Sequence, residues 1–348
     1  MSNVKTKNTA ITIGNITVAP GERQVIDLPV ADLYTHAALY MPVQVINGRA
    51  SGPTLFISAA IHGDELNGVE VIRRLLTQKV MDKLKGCLIG VPIVNVHGFL
   101  NQSRYLPDRR DLNRSFPGSA KGSVAARLAH TFVQQILEKA DYGIDIHTGA
   151  IHRSNLPQIR ANLDDPETLR LAEAFNVPVM INAAVRDGSL RGCAAEKGVP
   201  TLLYEAGEAL RFDEVGIRAG LRGITSVMRE LGMLPKKKLR RTGIDPLMAE
   251  SSSWVRAPLS GVVRIKTKLG QRVKQGEKLA IISDPFGEAE EALISPSAGI
   301  VIGQSNLPLA HEGDALLHIA RFDSVSLAED TVEEFQTKLL PAKTSEEV

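Results

Sequence analysis

Between Thr54 and Leu231 the chain alternates short apolar runs with stretches of helical hydrophobic period, and nothing else in it limits the fold so strongly. The runs TLFISAAI, CLIGVPIV, YGIDIH, VPVMINA and VPTLLYEA lack the polar alternation of a half-exposed strand. They read as strands buried on both faces. Between them, Glu65–Leu76 places Val69, Ile72, Leu75 and Leu76 on one side of a helix. Ala125–Ala140, Pro166–Phe175 and Glu214–Leu231 have the same period. Strands that alternate with helices predict an α/β fold: a mostly parallel mixed sheet with helices on both faces.

The alternation has edges. Residues 1–50 read as short strands separated by turns at Gly14-Asn15 and Pro20-Gly21, and the pattern stops near Pro235. From Trp254 to Ala320 there is no helical stretch, only β-rich runs broken by glycines. This region repeats itself: Ala257-Pro258-Leu259-Ser260-Gly261-Val262-Val263 is answered by Ser295-Pro296-Ser297-Ala298-Gly299-Ile300-Val301. Two such halves predict a small all-β barrel or sandwich. The expected division is a catalytic unit over 1–240 with its β segment at 1–50, a β-rich domain over 245–325, and an acidic tail over 326–348.

Charge and cysteine content exclude several functions. A net charge of +2 across 348 residues gives no footprint for a nucleic-acid partner. The one dense basic run, Lys236-Lys237-Lys238 with Arg240-Arg241, reads as a solvated linker. No stretch nears the roughly 18 apolar residues of a membrane span, and the N-terminus lacks the apolar core of a secretory signal. Cys87 and Cys193 are too few for a disulfide framework, so a cytoplasmic location is expected.

Four polar features carry chemistry, three of them directly after predicted strands, where open α/β sheets bind ligands. In Ile61-His62-Gly63-Asp64-Glu65, His62 and Glu65 are three apart and can converge on one point in a tight turn. Imidazole and carboxylate both ligate zinc, although His-x-x-Glu alone is common by chance. Asp145-Ile146-His147 ends another strand. His147 can supply a third ligand, while Asp145 either steadies the site or caps local backbone. Two histidines and one glutamate would leave an open position, as catalytic zinc sites do. Glu205 ends the apolar strand of Leu203-Tyr204-Glu205, a position that suits a general base or a hydrogen-bonded structural acid. The loop Asn95–Gly118 is long, irregular and rich in Arg and Asn. There Asn113-Arg114 can clamp a carboxylate, and Arg104 can polarise a carbonyl.

In this order, His62-x-x-Glu65, Arg104-Tyr105, Asp111-Leu112-Asn113-Arg114, Asp145-Ile146-His147 and Glu205 resemble the succinylglutamate desuccinylase and aspartoacylase family. These are relatives of zinc carboxypeptidases. The likeness covers roughly residues 50–235. It implies one Zn2+ per chain on His62, Glu65 and His147, with Glu205 as catalytic base. It also implies a substrate carboxylate on Asn113 and Arg114, Arg104 at the carbonyl, and Arg160 and Arg191 as candidates for a second acidic group. The residues Arg109-Arg110 lengthen the loop, so Arg110 competes with Arg104 for the carbonyl. The C-terminal repeats resemble a biotinyl/lipoyl-type barrel, but the hairpin over 284–291 has no lysine to modify. A cap or rim to the site is expected instead of a swinging arm.

The expected activity is hydrolysis of the amide bond of a small N-acyl amino acid or related carboxylate. Two alternatives stand beside it: a metallocarboxypeptidase or esterase, and a non-catalytic carboxylate-binding protein. His97 is the one rival metal ligand. Exposed sheet edges point to a homo-oligomer, with no nucleic-acid or membrane partner.

Overall fold

The computed structural model describes residues 7–236 and 245–339. Lys237, Lys238, Arg240 and Arg241 of the basic run, residues 1–6, and the tail beyond Leu339 lie outside them.

The chain opens with a small hairpin, β1 (Ile11–Ile13) and β2 (Ile16–Val18), then a long one, β3 (Arg23–Asp32) and β4 (Ala38–Asn47). Sequence suggested only short strands here. Ile26 and Leu28 alternate inward along β3, and Pro29 is tolerated because β3 is an edge strand. The alternating unit follows as β5 (Ala50–Ala59), α1 (Asn67–Leu76), β6 (Lys85–Val91), α2 (Val96–Leu100), α3 (Val124–Gln135) and β7 (Tyr142–Gly149). After it come β8 (Arg153–Ala161), α4 (Pro166–Phe175), β9 (Val179–Asn182), α5 (Leu190–Glu196), β10 (Thr201–Glu208) and α6 (Glu214–Glu230).

Local chemistry sets these boundaries. Asp165 caps α4 by accepting the Thr168 N–H, Pro166 occupies its first turn, and Asn176 closes it in the left-handed region at φ 60°. Asp213 caps α6 in the same way through the Val215 and Gly216 N–H groups.

Strands β6, β5, β7 and β10 run parallel at the centre of the sheet. Strands β4 and β3 extend one side antiparallel, and β8 lies antiparallel beside β10 on the other. One face buries Val71, Ile72 and Leu75 of α1, Leu171 of α4 and Ile217 and Ile224 of α6 against Leu55, Ile57, Ile144 and Tyr204. The other buries Leu128 and Phe132 of α3 and Leu190 of α5 against Phe56, Ile89 and Val91. Each fully buried Leu, Ile or Phe stabilises the fold by roughly 1.5–3 kcal/mol, so both helix layers are firmly attached.

The C-terminal part is β-rich as expected: β11 (Leu247–Ala249), β12 (Ser251–Arg256), β13 (Gly261–Ile265), β14 (Arg272–Val273), β15 (Lys278–Ser283), β16 (Glu290–Ile294), β17 (Gly299–Ser305), β18 (Leu309–Ala310) and β19 (Ala315–Arg321). Strands β13, β15, β16 and β18 form a separate four-stranded sheet. Strands β12, β19 and β17 instead continue the large sheet, because β17 pairs with β8 at Gly303↔Asn155 and Gln304↔Ser154. Further along the same β8, β9 takes over at Gln158↔Val179. The edge of β8 away from β10 is thus shared between two strands, and they part between Asn155 and Gln158. The final helix, α7 (Val325–Leu339), buries Ala328, Val332 and Phe335. No described helix is long and apolar enough to cross a membrane.

Candidate active site

His62 follows β5 in a turn that backbone crowding constrains. Ala60, fully buried, takes φ 50°, a left-handed conformation that costs an L-residue roughly 1–2 kcal/mol. A Cβ on Gly63 would lie 1.9 Å from the carbonyl carbon of Gly98, so only glycine lets this turn lie against α2. The result brings His62 and Glu65 together, with His62 Nδ1 2.7 Å from Glu65 Oε1. At the end of β7, His147 Nδ1 lies 2.8 Å from Glu65 Oε2. All three side chains are buried, and their candidate ligand atoms lie within 4.8 Å of one another.

The outer nitrogens are also held. His147 Nε2 sits 2.8 Å from Asp145 Oδ2, and His62 Nε2 sits 3.1 Å from Asp111 Oδ1. Ser58 Oγ donates to the other Asp145 oxygen at 2.8 Å. Each imidazole thus has a carboxylate at its Nε2 and Glu65 at its Nδ1, so that on metal binding the Nε2–H would stay with the carboxylate and Nδ1 would ligate.

The electrostatics agree with that arrangement. Burial pulls the His147 imidazole down, yet Asp145 and Glu65 outweigh it and hold its pKa well above the ordinary value. His62 is raised too, burial being opposed by Glu65 and Asp111. Burial pushes the Glu65 carboxyl up, but the two imidazoles win and keep it far below the usual carboxylate range. The cluster therefore favours positive charge at its centre. Two imidazole nitrogens and one carboxylate fit a divalent ion of borderline softness. His97 lies outside this cluster.

Glu205 lies directly across from His147 in the parallel β7–β10 pair. Its Oε2 accepts a hydrogen bond from Asn155 Nδ2 at 2.9 Å. Both residues line a cavity of about 570 Å³ that also takes in His62, Glu65 and His147, a volume that suits a small molecule. Arg104 lines it as well, donating to Asp111 Oδ2 at 2.9 Å with Nη1 3.5 Å from Glu65 Oε1. Arg110 does not line it. Its side chain is exposed and lies 3.8 Å from Asp108.

The remaining predicted residues converge on the same space. Asn113 uses its carbonyl oxygen on the Leu190 N–H at 2.9 Å, which leaves its amide NH2 without a partner among the described residues. Arg114, Arg160 and Arg191 all line the cavity, and Arg153 and Arg186 join them. None of these five is within ion-pair distance of a carboxylate among the described residues. Arg191 shows the strain of this crowding. Burial, then repulsion from Arg160 and Arg186, pushes its guanidinium down to about 10. A space lined by unpaired guanidinium groups attracts anions.

Sequence reasoning missed part of the site. Asp111 stood within a quoted motif, yet its hold on His62 was not foreseen. Asn155, Trp254 and His318 were missed entirely. The last two reach the cavity from β12 and β19, with Ala249, Ser251 and Ser252 nearby. A lone Trp in a β-rich segment carries no local signal of a binding role.

Comparison with known proteins follows the same lines. A family described as "Succinylglutamate desuccinylase/Aspartoacylase catalytic domain" matches residues 51–231. The chain is 30% identical over 275 residues to an N-alpha-acetyl-L-2,4-diaminobutyric acid deacetylase of Halomonas elongata, covering 74% of this chain and 79% of that one. Among solved structures, a succinylglutamate desuccinylase/aspartoacylase from Rhodobacter sphaeroides superposes with TM-score 0.77 at 28% identity, over 87% of this chain and 96% of that one. The product-bound ectoine utilization protein EutE (DoeB) from Ruegeria pomeroyi shares the fold with TM-score 0.80 at 24% identity, over 91% and 100%.

Proposed function

Since this chain belongs to the succinylglutamate desuccinylase/aspartoacylase family, we propose that it is a zinc-dependent hydrolase of the amide bond in small N-acyl amino acids or related carboxylates. The observation that carries this reading is the single cavity in which His62, Glu65 and His147 stand beside Glu205 and a group of unpaired arginines. The relative from Halomonas elongata, a deacetylase by name, supports the same class of reaction.

In this reading His62, Glu65 and His147 hold one zinc ion per chain. The ion supplies Lewis acidity, which brings the ionisation of water towards neutral pH and draws charge from the scissile carbonyl. Glu205 takes the proton of the attacking water and passes it to the departing amine, so that nitrogen leaves as a neutral group. Arg104 places its guanidinium against the developing oxyanion. Asn113 and Arg114 hold the substrate carboxylate, through the amide NH2 of one and the guanidinium N–H groups of the other that its bond to the Asn113 carbonyl leaves over. Arg160 and Arg191 receive a second acidic group.

Residues 1–240 are read as the catalytic part, 245–325 as a cap over it and 326–348 as a tail. The walls contributed by Trp254 and His318 narrow the cavity on one side, which favours small molecules over peptides. Two buried, unpaired thiols, Cys87 and Cys193, suit a cytoplasmic enzyme. The free edge of β3 suits association between copies.

The test is a panel of N-acetyl and N-succinyl amino acids, with short peptides for comparison, together with elemental analysis of the purified protein. About one zinc per chain and cleavage of the acyl amino acids are expected, with metal lost in His62→Ala. A zinc-replete protein that cleaves none of them rejects the proposal.

A further inference from the structure

We propose that Asn155 is a positioning residue for Glu205, and that the C-terminal strands hold it in that role. The inference rests on the reading of Glu205 as the base. Asn155 Nδ2 donates to Glu205 Oε2 at 2.9 Å, and among the described residues no other side chain donates to that carboxylate. A carboxylate only accepts, so the amide has to present its NH2 there. Gln158, the residue of β8 directly opposite Glu205, does not share the task. It is fully buried, and neither atom of its amide has a hydrogen-bond partner.

What fixes Asn155 comes from the far end of the chain. Its register partner on β17 is Gly303. A Cβ at position 303 would lie 3.0 Å from Asn155 Oδ1, 3.1 Å from His318 Cβ and 3.3 Å from Trp254 Cη2. The amide oxygen therefore borders the same small space as His318 and Trp254, and glycine at position 303 leaves it that room. Those two rings hold each other. The Trp254 indole stacks on the His318 ring with centroids 4.6 Å apart and planes 10° from parallel, and the Arg153 guanidinium lies 4.5 Å from the indole centre. Asn155 itself is buried. The C-terminal strands thus settle where the amide stands, and the amide settles where the carboxylate points. A glutamate has three rotatable side-chain bonds, so without this anchor its oxygen wanders from the attacking water. A misplacement of about 1 Å can cost on the order of a hundredfold in rate.

Asn155→Asp is the sharpest test. It keeps shape and volume, removes the donor and sets a second carboxylate against Glu205. The kcat should fall about a hundredfold or more with KM within about twofold, at wild-type metal content and melting temperature. Asn155→Ala should fall about ten- to a hundredfold in kcat. Gly303→Ala leaves every polar group in place but crowds the amide by a few tenths of an ångström, and its kcat should fall several-fold at unchanged KM. A packing role alone predicts near-normal kcat in Asn155→Asp, and that result overturns the inference. If Asn155→Asp does not fold, the other two variants decide: lowered kcat at constant KM upholds it, and wild-type kcat in both overturns it. Glu205→Gln, run beside them, separates the two claims. An inactive Glu205→Gln with a fully active Asn155→Asp rejects only the positioning role, whereas an active Glu205→Gln removes the base itself.

Discussion

Asp145 and His147, two residues apart on one face of β7, meet through a 2.8 Å contact between Oδ2 and Nε2, with both side chains buried. With a metal bound, the carboxylate would hold the His147 proton on the outer nitrogen while the inner one, which faces Glu65, ligates. Asp145→Asn keeps the shape but not the charge, and its amide can donate where the carboxylate accepted. Metal affinity should fall about 10- to 100-fold, as read by competition with a chromophoric chelator. Unchanged affinity would show that Asp145 serves only to tie β7 to Ser58.

Glu205→Gln should keep fold and metal while losing turnover by several orders of magnitude. The substituted amide still accepts and donates hydrogen bonds but cannot take a proton from water. Single-turnover rates beside melting curves and elemental analysis check this. Retained turnover would reassign the base.

Arg114→Ala should raise KM for carboxylate substrates roughly ten- to a hundredfold, since a hydrogen bond to a charged group contributes about 1.5–3 kcal/mol. An uncharged methyl-ester analogue of the same substrate should feel the change far less. Equal losses on both compounds would move the carboxylate elsewhere in the cavity.

The pH dependence of stability should carry the mark of His318. Burial, with Arg160 and Arg153 adding to it, pushes this imidazole down to about 4. In the unfolded chain a histidine takes its proton near 6.5. Between these values the unfolded state binds more protons than the folded one, so stability rises with pH and is lost on acidification. His318→Phe keeps a ring on Trp254 and removes the titration. Its melting temperature should therefore gain on wild type as pH drops from about 6.5 to about 4, and run parallel to it above pH 7. Parallel curves throughout would discard the assignment.

The central strands and their helices were legible because burial on both faces and a 3.6-residue period leave local traces. Pro166–Phe175 has the same limits in sequence and structure, since Asp165, Pro166 and Asn176 mark both ends. Helix α3 stops at Gln135, short of the expected Ala140, because the chain tightens into a 3-10 turn at Leu137–Lys139. The positions of His62, Glu65, His147 and Glu205 were legible for a similar reason, each standing at or just beyond the end of an apolar run. Asn155, Trp254 and His318 left no such trace. They meet through the pairing of β17 with β8, whose partners lie far apart in sequence, and strand pairing at that distance is written in no local pattern. The length of β3 was hidden likewise, because Pro29 looks like a strand breaker until the sheet edge it occupies is known.

The shared edge of β8 makes the two halves of this molecule hard to separate. A fragment ending at Pro235 would bare the backbone of Arg153–Asn155, an open invitation to pair with another chain. Anyone wishing to shorten this protein or exchange its rear portion would have to carry Gly299–Ser305 along with the front, or supply a substitute strand for the vacancy.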